Sequence, residues 1–409
     1  MIVNRAEQHY IKRSHKSFKL IDEMCFQSKN IYNEANYLIR QRFIESGEII
    51  KRFDMQTIMK DENCYRALGS NTGQVTIQKL DQNWKSFLVA VKDWSKNPSK
   101  YLGKPRIPKY LKKDGRFMVG LTNNKFKIVD GYIRFSWKKL YPLNHMFKTR
   151  IPDTAKLMQV RFVPKGIYYV MEVCYQIEVP ECVESSNNIA SIDIGVENFI
   201  TMTNNIGRKP IVIKGGTIKS INQYFNKKKA KMQSELKRCN NKDWSNGLEK
   251  LSCKRYQMIK YQMHCISKYV VDYCDMYNID TLIVGHNKNW KQENTGKQNF
   301  TYIPYQLFID MLKYKCENNG IKFIEIVESY TSGTSFLDNE EPIKENYNKD
   351  RRIFRGLFQS EKGEYINADV NGSYQIMKKA FPNIFMNGIE DAGSHPVIVN
   401  IPLQTANVI

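Results

Sequence analysis

The sequence predicts a multidomain α+β protein. Two long amphipathic helical segments occupy the first quarter of the chain, a strand-rich stretch follows at about residues 115–180, and short strands alternate with helices in the second half. The 409 residues are enough for two or three domains. Hydrophobic residues at 42% and charged residues at 25% are typical of a folded protein, so the composition excludes general disorder.

The first half contains a strand, two helices, a linker and further strands. Residues 2–13 are strand-like, and apolar residues between about Ser17 and Gly47 have the 3-4 spacing of a long helix. A second apolar stripe runs from Ile77 to Trp94 and stops just before a proline. Residues 101–110 are basic and interrupted by prolines, as in a linker. Apolar residues alternate from Tyr169 to Ile177, which predicts a half-buried strand.

The second half begins after a polar boundary at Pro180–Asn188. Three short strands in quick succession indicate a β-meander, and a long basic helical region follows it. Another strand, a helix, a strand and a final helix complete the pattern. The expected elements are strands 189–194, 199–203 and 211–213, the helical region at about 218–278, strand 281–284, a helix from Pro304 to about Asn318, strand 322–327 and a helix starting near Asp369.

The charge balance indicates a polyanionic partner. Lys and Arg number 63 against 41 Asp and Glu, a net charge of +22, and nucleic acid is the first partner to expect. The sequence has neither an apolar run long enough for a membrane span nor a signal-peptide-like start. Nine scattered cysteines without a CxxC pair argue against a disulfide framework or a zinc site. We therefore expect a cytoplasmic protein without membrane association.

Three acidic residues fall at the ends of predicted elements in the second half. Asp193 and Glu328 end strands, and Asp369 opens the last helix. Each has an ordinary explanation by itself, since aspartate is common in turns and at helix N-caps. Their order after a β-meander, in a strongly basic chain, is the layout of an RNase H-like nuclease. Such a nuclease holds two divalent ions, and carboxylates favour Mg²⁺ or Mn²⁺ over zinc.

Several segments in order resemble the TnpB family, the transposon-encoded RNA-guided nucleases ancestral to type V CRISPR effectors. The likeness covers nearly the whole chain. The segments are Trp84–Phe87, Gly103–Tyr110, Ser191–Thr201, Asn287–Gln292, Glu328–Ser332 with Ser335–Asp338, Arg352–Phe358 and Asn367–Gly372.

The resemblance implies a helical recognition lobe, a β-barrel wedge domain split around it, and a RuvC nuclease domain. It also implies a guide RNA, from a transposon end or a CRISPR array, that pairs with target DNA. The expected domains are a wedge strand at 1–14, the recognition lobe at 15–114, the wedge barrel at 115–187, the RuvC domain at 188–385 and a C-terminal tail at 386–409. The RuvC domain would include a helical insertion at about 218–278 and a degenerate zinc-ribbon region at about 329–366.

Two features depart from the usual family pattern. Asp193 and Asp369 match the first and third RuvC acids, but Gly285 stands where the second, a glutamate, is expected. The zinc-ribbon cysteines are also absent, so no zinc is expected. The chain is similar to the subset of TnpB proteins, and to their Fanzor relatives, that have a relocated glutamate on the neighbouring strand. Strand alternation favours Glu328 over Glu325, because Glu328 shares one face with Ile324 and Ile326 and Glu325 lies on the other face. Adjacent strands are about 4.8 Å apart, so a glutamate side chain could span the position left vacant by glycine.

The resemblance therefore implies an RNA-guided DNA endonuclease that cleaves target DNA beside a short adjacent motif. It also implies a RuvC site with two Mg²⁺ or Mn²⁺ ions. Three alternatives stay open. A nuclease-dead, RNA-guided repressor would bind without cutting, and a compact CRISPR-associated effector would share the descent. A conventional transposase is less favoured, because the motif order is that of RuvC and no separate helix-turn-helix signal exists.

Polar and basic residues suggest nucleic-acid contacts, although a solvated surface is the ordinary alternative for each. Arg352 and Arg355 are candidates for clamping the scissile phosphate. Glutamines on the second helix can read adenine, and lysines and arginines suit phosphates. The candidate binding residues are Gln74, Gln78, Gln82, Lys85, Lys104, Arg106, Lys109, Lys227, Lys228 and Lys229.

Overall fold

The computed structural model of the chain consists of two compact units. They comprise Ile2–Glu178, here the N-terminal unit, and Val179–Ile409 together with Met1, here the C-terminal unit. Within the described residues, no helix combines the length and apolar character needed to span a membrane. The structure describes residues 1–182, 186–287, 302–354, 356–385 and 396–402.

Along the chain of the N-terminal unit, the α-helices follow the first strand and precede the remaining strands. Its elements are β1 (Ile2–Ile11), α1 (Phe18–Ser46), α2 (Arg52–Met59), α3 (Asn63–Leu68), α4 (Ser70–Lys96), β2 (Val119–Thr122), β3 (Phe126–Val129), β4 (Tyr132–Phe135), β5 (Lys156–Lys165) and β6 (Tyr168–Glu178). The two long predicted helices are present as α1 and α4. The short helices α2 and α3 were not predicted, because fewer than three turns give no clear hydrophobic period.

One sheet in this unit joins strands from before and after the helices. Its order is β1-β6-β5-β2 with antiparallel neighbours, and β3 and β4 form a separate hairpin. Ile11, Met24, Trp84 and Phe162 belong to the common core of sheet and helices. The sheet therefore connects the two segments assigned to the split wedge domain, whereas its description as a β-barrel stays a prediction.

The C-terminal unit alternates strands and helices. Its elements are β7 (Ile189–Ile194), β8 (Asn198–Asn204), β9 (Ile211–Lys214), α5 (Gly216–Asn240), α6 (Asn246–Met276), β10 (Thr281–His286), α7 (Tyr305–Asn318), β11 (Lys322–Val327), β12 (Leu357–Gln359), β13 (Tyr365–Asn367), α8 (Ala368–Ala380) and β14 (Val397–Val399). The basic helical region is two helices, because the chain turns at Asn241 in the left-handed conformation and Ser245 caps α6.

The main sheet has the order β11-β10-β7-β8-β9-β14. Strands β7, β8 and β9 are the expected antiparallel meander, while β10 is parallel to β7 and β11 to β10. The segment predicted as a C-terminal tail contributes β14, which pairs in parallel with β9. Three residues are too few for a recognisable strand period, so the sequence did not indicate this edge strand.

Alternation along the strands gives the two faces of this sheet different partners. Ala190 and Ile192 pack with α6 and α7, in a core that includes Phe308. Ile189 and Ile283 pack on the opposite face with Ile376 of α8. Residues at odd positions of β7 therefore face α8, and this periodicity determines the direction of Asp193.

Candidate active site

Asp193 lies near the end of β7 on the face that meets α8. Two positions earlier, the hydroxyl of Ser191 donates to the carbonyl oxygen of Ser373 at 2.6 Å, which fixes the helix against the strand. A Cβ atom at Gly372 would lie 2.9 Å from Oδ2 of Asp193. Glycine at this position therefore allows the first turn of α8 to approach the carboxylate closely.

Asp369 lies in the first turn of α8, where Asn367 caps the helix. Oδ1 of Asn367 accepts from the backbone N–H groups of Asp369 at 3.0 Å and Val370 at 3.2 Å. A carboxylate in this turn is also favoured by the helix dipole. The predicted helix start near Asp369 is therefore confirmed, and Asn367, rather than Asp369, provides the cap.

Both oxygens of Asp369 accept hydrogen bonds from other elements. Arg352 donates from Nη2 to Oδ1 at 3.0 Å, and Asn198 donates from Nδ2 to Oδ2 at 2.7 Å. Lys214 in turn donates to Oδ1 of Asn198 at 2.8 Å. Neither Asn198 nor Lys214 was predicted as a site residue. The signal for Asn198 in the sequence is its place five positions after Asp193, within the segment Ser191–Thr201.

Glu328 follows β11 and reaches toward Gly285 of β10. A Cβ atom at Gly285 would lie 3.4 Å from Oε2 of Glu328, and only 2.4 Å from Cδ1 of Ile376. The backbone N–H of Glu328 donates to the carbonyl oxygen of His286 at 3.2 Å, which ties the residue to the end of β10. The carboxylate of Glu328 therefore lies close to the place that the Cβ atom of a glutamate at position 285 would occupy.

Glu325 lies on the other face of β11. Its Oε1 is 3.3 Å from Nδ1 of His286, and the neighbouring Phe323 packs with the α6 and α7 core. Ile324 and Ile326 instead pack in the cluster that contains Ile376. The alternation expected along this strand is observed, while the catalytic assignment of Glu328 stays a prediction.

The three acids influence one another electrostatically. Asp193 is half-buried, and desolvation of its carboxyl raises the pKa well above the usual 3.8. The negative charges of Glu328 and Asp369 raise the pKa of Asp193 further, and the positive charge of Arg352 offsets part of this effect. Burial and the charge of Glu328 also raise the pKa of Tyr305 to about 12. The fold has thus gathered negative charge around a half-buried carboxyl.

The donor set suits a hard cation. No group of three or more Asp, Glu, His or Cys side chains is close enough to hold a metal ion among the residues that the structure describes. Asp369 is instead held by Arg352 and Asn198. Carboxylate oxygens around a half-buried acid with a raised pKa are nevertheless a set of ligands that Mg²⁺ or Mn²⁺ would stabilise. The residues therefore fit a divalent cation in type.

The other candidate residues lie on exposed surfaces with few exceptions. Lys85 forms an ion pair with Asp81 at 2.8 Å, Lys229 is half-buried, and Arg355 lies outside the described residues. Arg352 pairs with Asp369, and its assignment as a phosphate clamp stays a prediction. The exposed candidates are Gln74, Gln78, Gln82, Lys85, Lys104, Arg106, Lys109, Lys227 and Lys228.

An arginine-centred cluster organises the region predicted to be a degenerate zinc ribbon. Arg351 forms a short ion pair with Glu340, and its guanidinium nitrogens are 4.0 Å from Asp338 and 3.8 Å from Glu361. The backbone N–H of Glu361 donates to Oδ2 of Asp338 at 2.6 Å. Residues 329–366 contain no cysteine or histidine. Charge pairs and hydrogen bonds therefore link these loops to one another.

Comparison with known proteins gives two family matches and one curated relative. A family described as a probable transposase, OrfB_IS605, matches residues 172–291, and the Cas12f1-like TNB domain matches residues 305–376. TnpB-like protein ORF457 of Acidianus two-tailed virus is 23% identical over 389 residues, which cover 86% of this chain and 81% of the relative.

A solved structure shares the fold. The Cas12f1 chain in a cryo-EM structure of the Cas12f1-sgRNA-target DNA complex superposes with a TM-score of 0.54 and 13% identity, covering 88% of this chain and 82% of that chain. The multidomain α/β architecture is thus similar to that of a Cas12 effector. The two family matches and the curated relative thus make the chain similar to TnpB-like proteins, and the solved structure shares its fold.

Proposed function

We propose that this chain is an RNA-guided DNA endonuclease that cleaves target DNA beside a short adjacent motif. The main supporting observation is the half-buried Asp193 beside α8, whose pKa is raised by desolvation and by the charges of Glu328 and Asp369. A strongly perturbed acid among other acids is typical of a catalytic site. The sheet order, an antiparallel meander followed by two parallel strands, supports the interpretation as an RNase H-like RuvC domain.

Asp193, Glu328 and Asp369 would hold the divalent cations of this site. Bound Mg²⁺ or Mn²⁺ would supply Lewis-acid chemistry there, for activation of a water molecule and stabilisation of the leaving oxygen. Gly372 gives the α8 turn access to Asp193, and Asn367 fixes the start of that turn. Asn198 and Arg352 orient the carboxylate of Asp369.

Guide RNA and target DNA are the proposed partners. The Cas12f1 neighbour was solved with both kinds of nucleic acid, and a net charge of +22 supports binding of a polyanion. Base pairing with the guide would set the target sequence, while the protein would hold the heteroduplex through its backbone. In this proposal the N-terminal unit supplies the recognition lobe and the wedge domain.

The test is cleavage by the protein purified with its bound RNA, on DNA that matches this RNA. Asp193→Ala is expected to reduce cleavage in Mg²⁺ by at least about a hundredfold with target binding nearly unchanged, because it removes one carboxylate from the charged site. The matched control is Asp272→Ala, which removes an exposed carboxylate paired with Lys268 in the neighbouring helical turn. Undiminished cleavage by the Asp193 variant would reject the site.

A guided, nuclease-dead repressor is the second candidate. The observation that favours it is the engagement of both Asp369 oxygens by Arg352 and Asn198. Tight binding of the matched target without product in either Mg²⁺ or Mn²⁺ would select this function. Product formation that depends on the metal and on Asp193 would exclude it.

Two further alternatives differ in their RNA. A conventional transposase, suggested by the description of the OrfB_IS605 family, would join DNA ends without a guide. A compact CRISPR-associated effector would carry RNA from a CRISPR array, whereas a transposon-encoded nuclease would carry RNA from the transposon end. Sequencing the RNA that copurifies with the protein distinguishes all three.

A further inference from the structure

The backbone of residues 104–113 is bound by side chains of helix α1, although this segment forms no helix or strand of its own. Asn33 donates from Nδ2 to the carbonyl oxygen of Leu111 at 2.9 Å and accepts at Oδ1 from the N–H of Leu111 at 2.8 Å. Asn36 donates from Nδ2 to the carbonyl oxygen of Pro108 at 3.1 Å. One face of α1 therefore holds the segment by its main chain.

The supporting side chains are fixed by burial and by further bonds. Asn36 is 0% exposed, and its Oδ1 accepts from Nε1 of Trp84 at 2.9 Å. Lys29 is only 4% exposed, and its Nζ donates to the carbonyl oxygen of Lys113 at 2.8 Å. Because residues 29, 33 and 36 follow one another along one face, the segment is held at three successive levels of the helix.

The same segment separates its apolar and charged side chains. Ile107 and Leu111 pack against the core of the N-terminal unit, so the apolar side chains face inward. The segment contains no acidic residue, and within the fully described N-terminal unit its cations form no ion pair with a carboxylate. The exposed cations are Lys104, Arg106, Lys109, Lys112 and Lys113.

We propose that residues 104–113 form a preorganised cationic strip for the sugar-phosphate backbone of a nucleic acid, with Lys29, Asn33 and Asn36 as its positioning residues. The proposal rests on the proposed function, which supplies the class of ligand. Lys104 and Arg106 are two positions apart, so their Cα atoms are at most about 7 Å apart, a spacing that suits neighbouring phosphates of one strand. A free loop would lose backbone entropy on binding, whereas α1 already holds the backbone of this strip.

The strip is tested by the salt dependence of binding in EDTA, where no cleavage occurs. The probes are a random-sequence DNA duplex and a random-sequence single-stranded RNA, each about 30 nucleotides long, a length chosen to exceed a contact of several phosphates. The variant Lys104→Gln/Arg106→Gln/Lys109→Gln is expected to reduce the magnitude of the negative slope of log K against log salt by about 2–3, because three phosphate contacts are lost.

The matched control removes the same charge elsewhere in the N-terminal unit, from the exposed Lys51, Lys60 and Lys165. If the strip variant reduces the magnitude of the slope with the DNA duplex alone, the strip binds DNA. If it does so with the RNA alone, the strip binds RNA. A reduction with both probes means that the strip binds either backbone. An unchanged slope with both probes, or an equal change in the control, overturns the proposal. If the wild-type protein does not cleave matched DNA, the proposed endonuclease activity is rejected. The salt dependence of binding still tests the strip in that case.

The positioning residues have their own test. Asn33→Ala keeps every exposed cation but frees the backbone of Leu111, so affinity is expected to fall about 3- to 10-fold with the salt slope unchanged. Asn30→Ala is the matched control, because the amide of Asn30 donates to Oε1 of Gln27 on the same helix. An affinity equal to that of the control would overturn the positioning assignment. The charge variant alters only exposed side chains, so the strip stays testable if Asn33→Ala does not fold.

Discussion

Two clusters of carboxylates in the C-terminal unit have opposite electrostatic surroundings. Around Asp193, burial and neighbouring acids raise the pKa of the carboxyl. Around Asp338, burial by itself would raise the pKa of the carboxyl, but hydrogen bonds from Ser335 and from backbone N–H groups, with the charge of Arg351, lower it overall. The first cluster is strained by like charges, whereas the second is compensated from within the chain.

This difference in charge compensation indicates which of the two clusters has a functional role. A compensated cluster stabilises the fold and needs no ligand, whereas an uncompensated one is retained at a cost in stability and is relieved by a cation. The same reasoning predicts opposite responses to mutation in the two clusters. Activity should depend on the Asp193 cluster, and folding on the Arg351 cluster.

The comparison of Glu328→Gln with Glu325→Gln gives the largest expected effect. Glu328→Gln is expected to reduce cleavage about a hundredfold or more, because it removes a charge beside Gly285 and Asp193. Glu325→Gln, on the opposite face of β11, is expected to change cleavage less than about threefold. Initial rates of cleavage in Mg²⁺ check this, and a reversed order would assign the site to Glu325.

Asn198→Ala is expected to weaken the site by orienting Asp369 less firmly. Outer groups that hold a ligating carboxylate are typically worth about 10- to 100-fold in metal affinity or activity. Titration of Mn²⁺ binding, followed by paramagnetic resonance without substrate, measures the affinity directly. Asn205→Ala is the control, since Asn205 bonds Ile189 and Asn187 away from the acids. Unchanged Mn²⁺ affinity in the Asn198 variant would show that Asp369 needs no such support.

Arg351→Met tests the compensated cluster. Removing the guanidinium leaves Glu340 and Asp338 without their cation, which is expected to cost about 2–4 kcal/mol of unfolding free energy. Lys268→Met breaks the exposed pair with Asp272 and should cost less than about 0.5 kcal/mol. Urea denaturation measures both, and equal losses would mean that the Arg351 cluster is an ordinary surface ion pair.

Stability against pH should differ in sign between the two aspartates. The raised pKa of Asp193 means that the folded state binds its proton more tightly, so stability falls as pH rises above the usual 3.8. The lowered pKa of Asp338 contributes stability above 3.8 that is lost as pH falls through the folded value. At pH 7 in EDTA, Asp193→Asn should therefore raise the melting temperature and Asp338→Asn lower it, each by about 2–4 °C per kcal/mol. Shifts of the same sign would contradict the comparison.

Much of the fold followed from hydrophobic periodicity. The helices α1 and α4, the meander β7–β9 and the helix that begins at Ala368 were predicted from local patterns, because each is long or regular enough to show its period. The short helices α2 and α3 and the edge strand β14 were not predicted. Their few residues bury apolar surface only through contacts with distant segments, and such contacts leave no local signal.

The candidate site was predictable in part. The acids at positions 193, 328 and 369 were chosen from element ends and resemblance, and strand alternation correctly separated the faces of Glu325 and Glu328. Asn198, Lys214 and Arg351 were not assigned their supporting contacts. Their partners lie far away in sequence, so only the folded chain shows that an asparagine on β8 bonds an aspartate on α8.

By itself, the sequence determined the positive charge, the order of the main elements and the identity of the acids, since these depend on composition and on periods within short windows. The tertiary structure decided that Glu328 reaches the place beside Gly285, that Arg352 and Asn198 bind Asp369, and that α1 holds the strip. These features depend on backbone approaches of a few ångströms between segments distant in sequence, and side-chain spacing along the chain does not encode such distances.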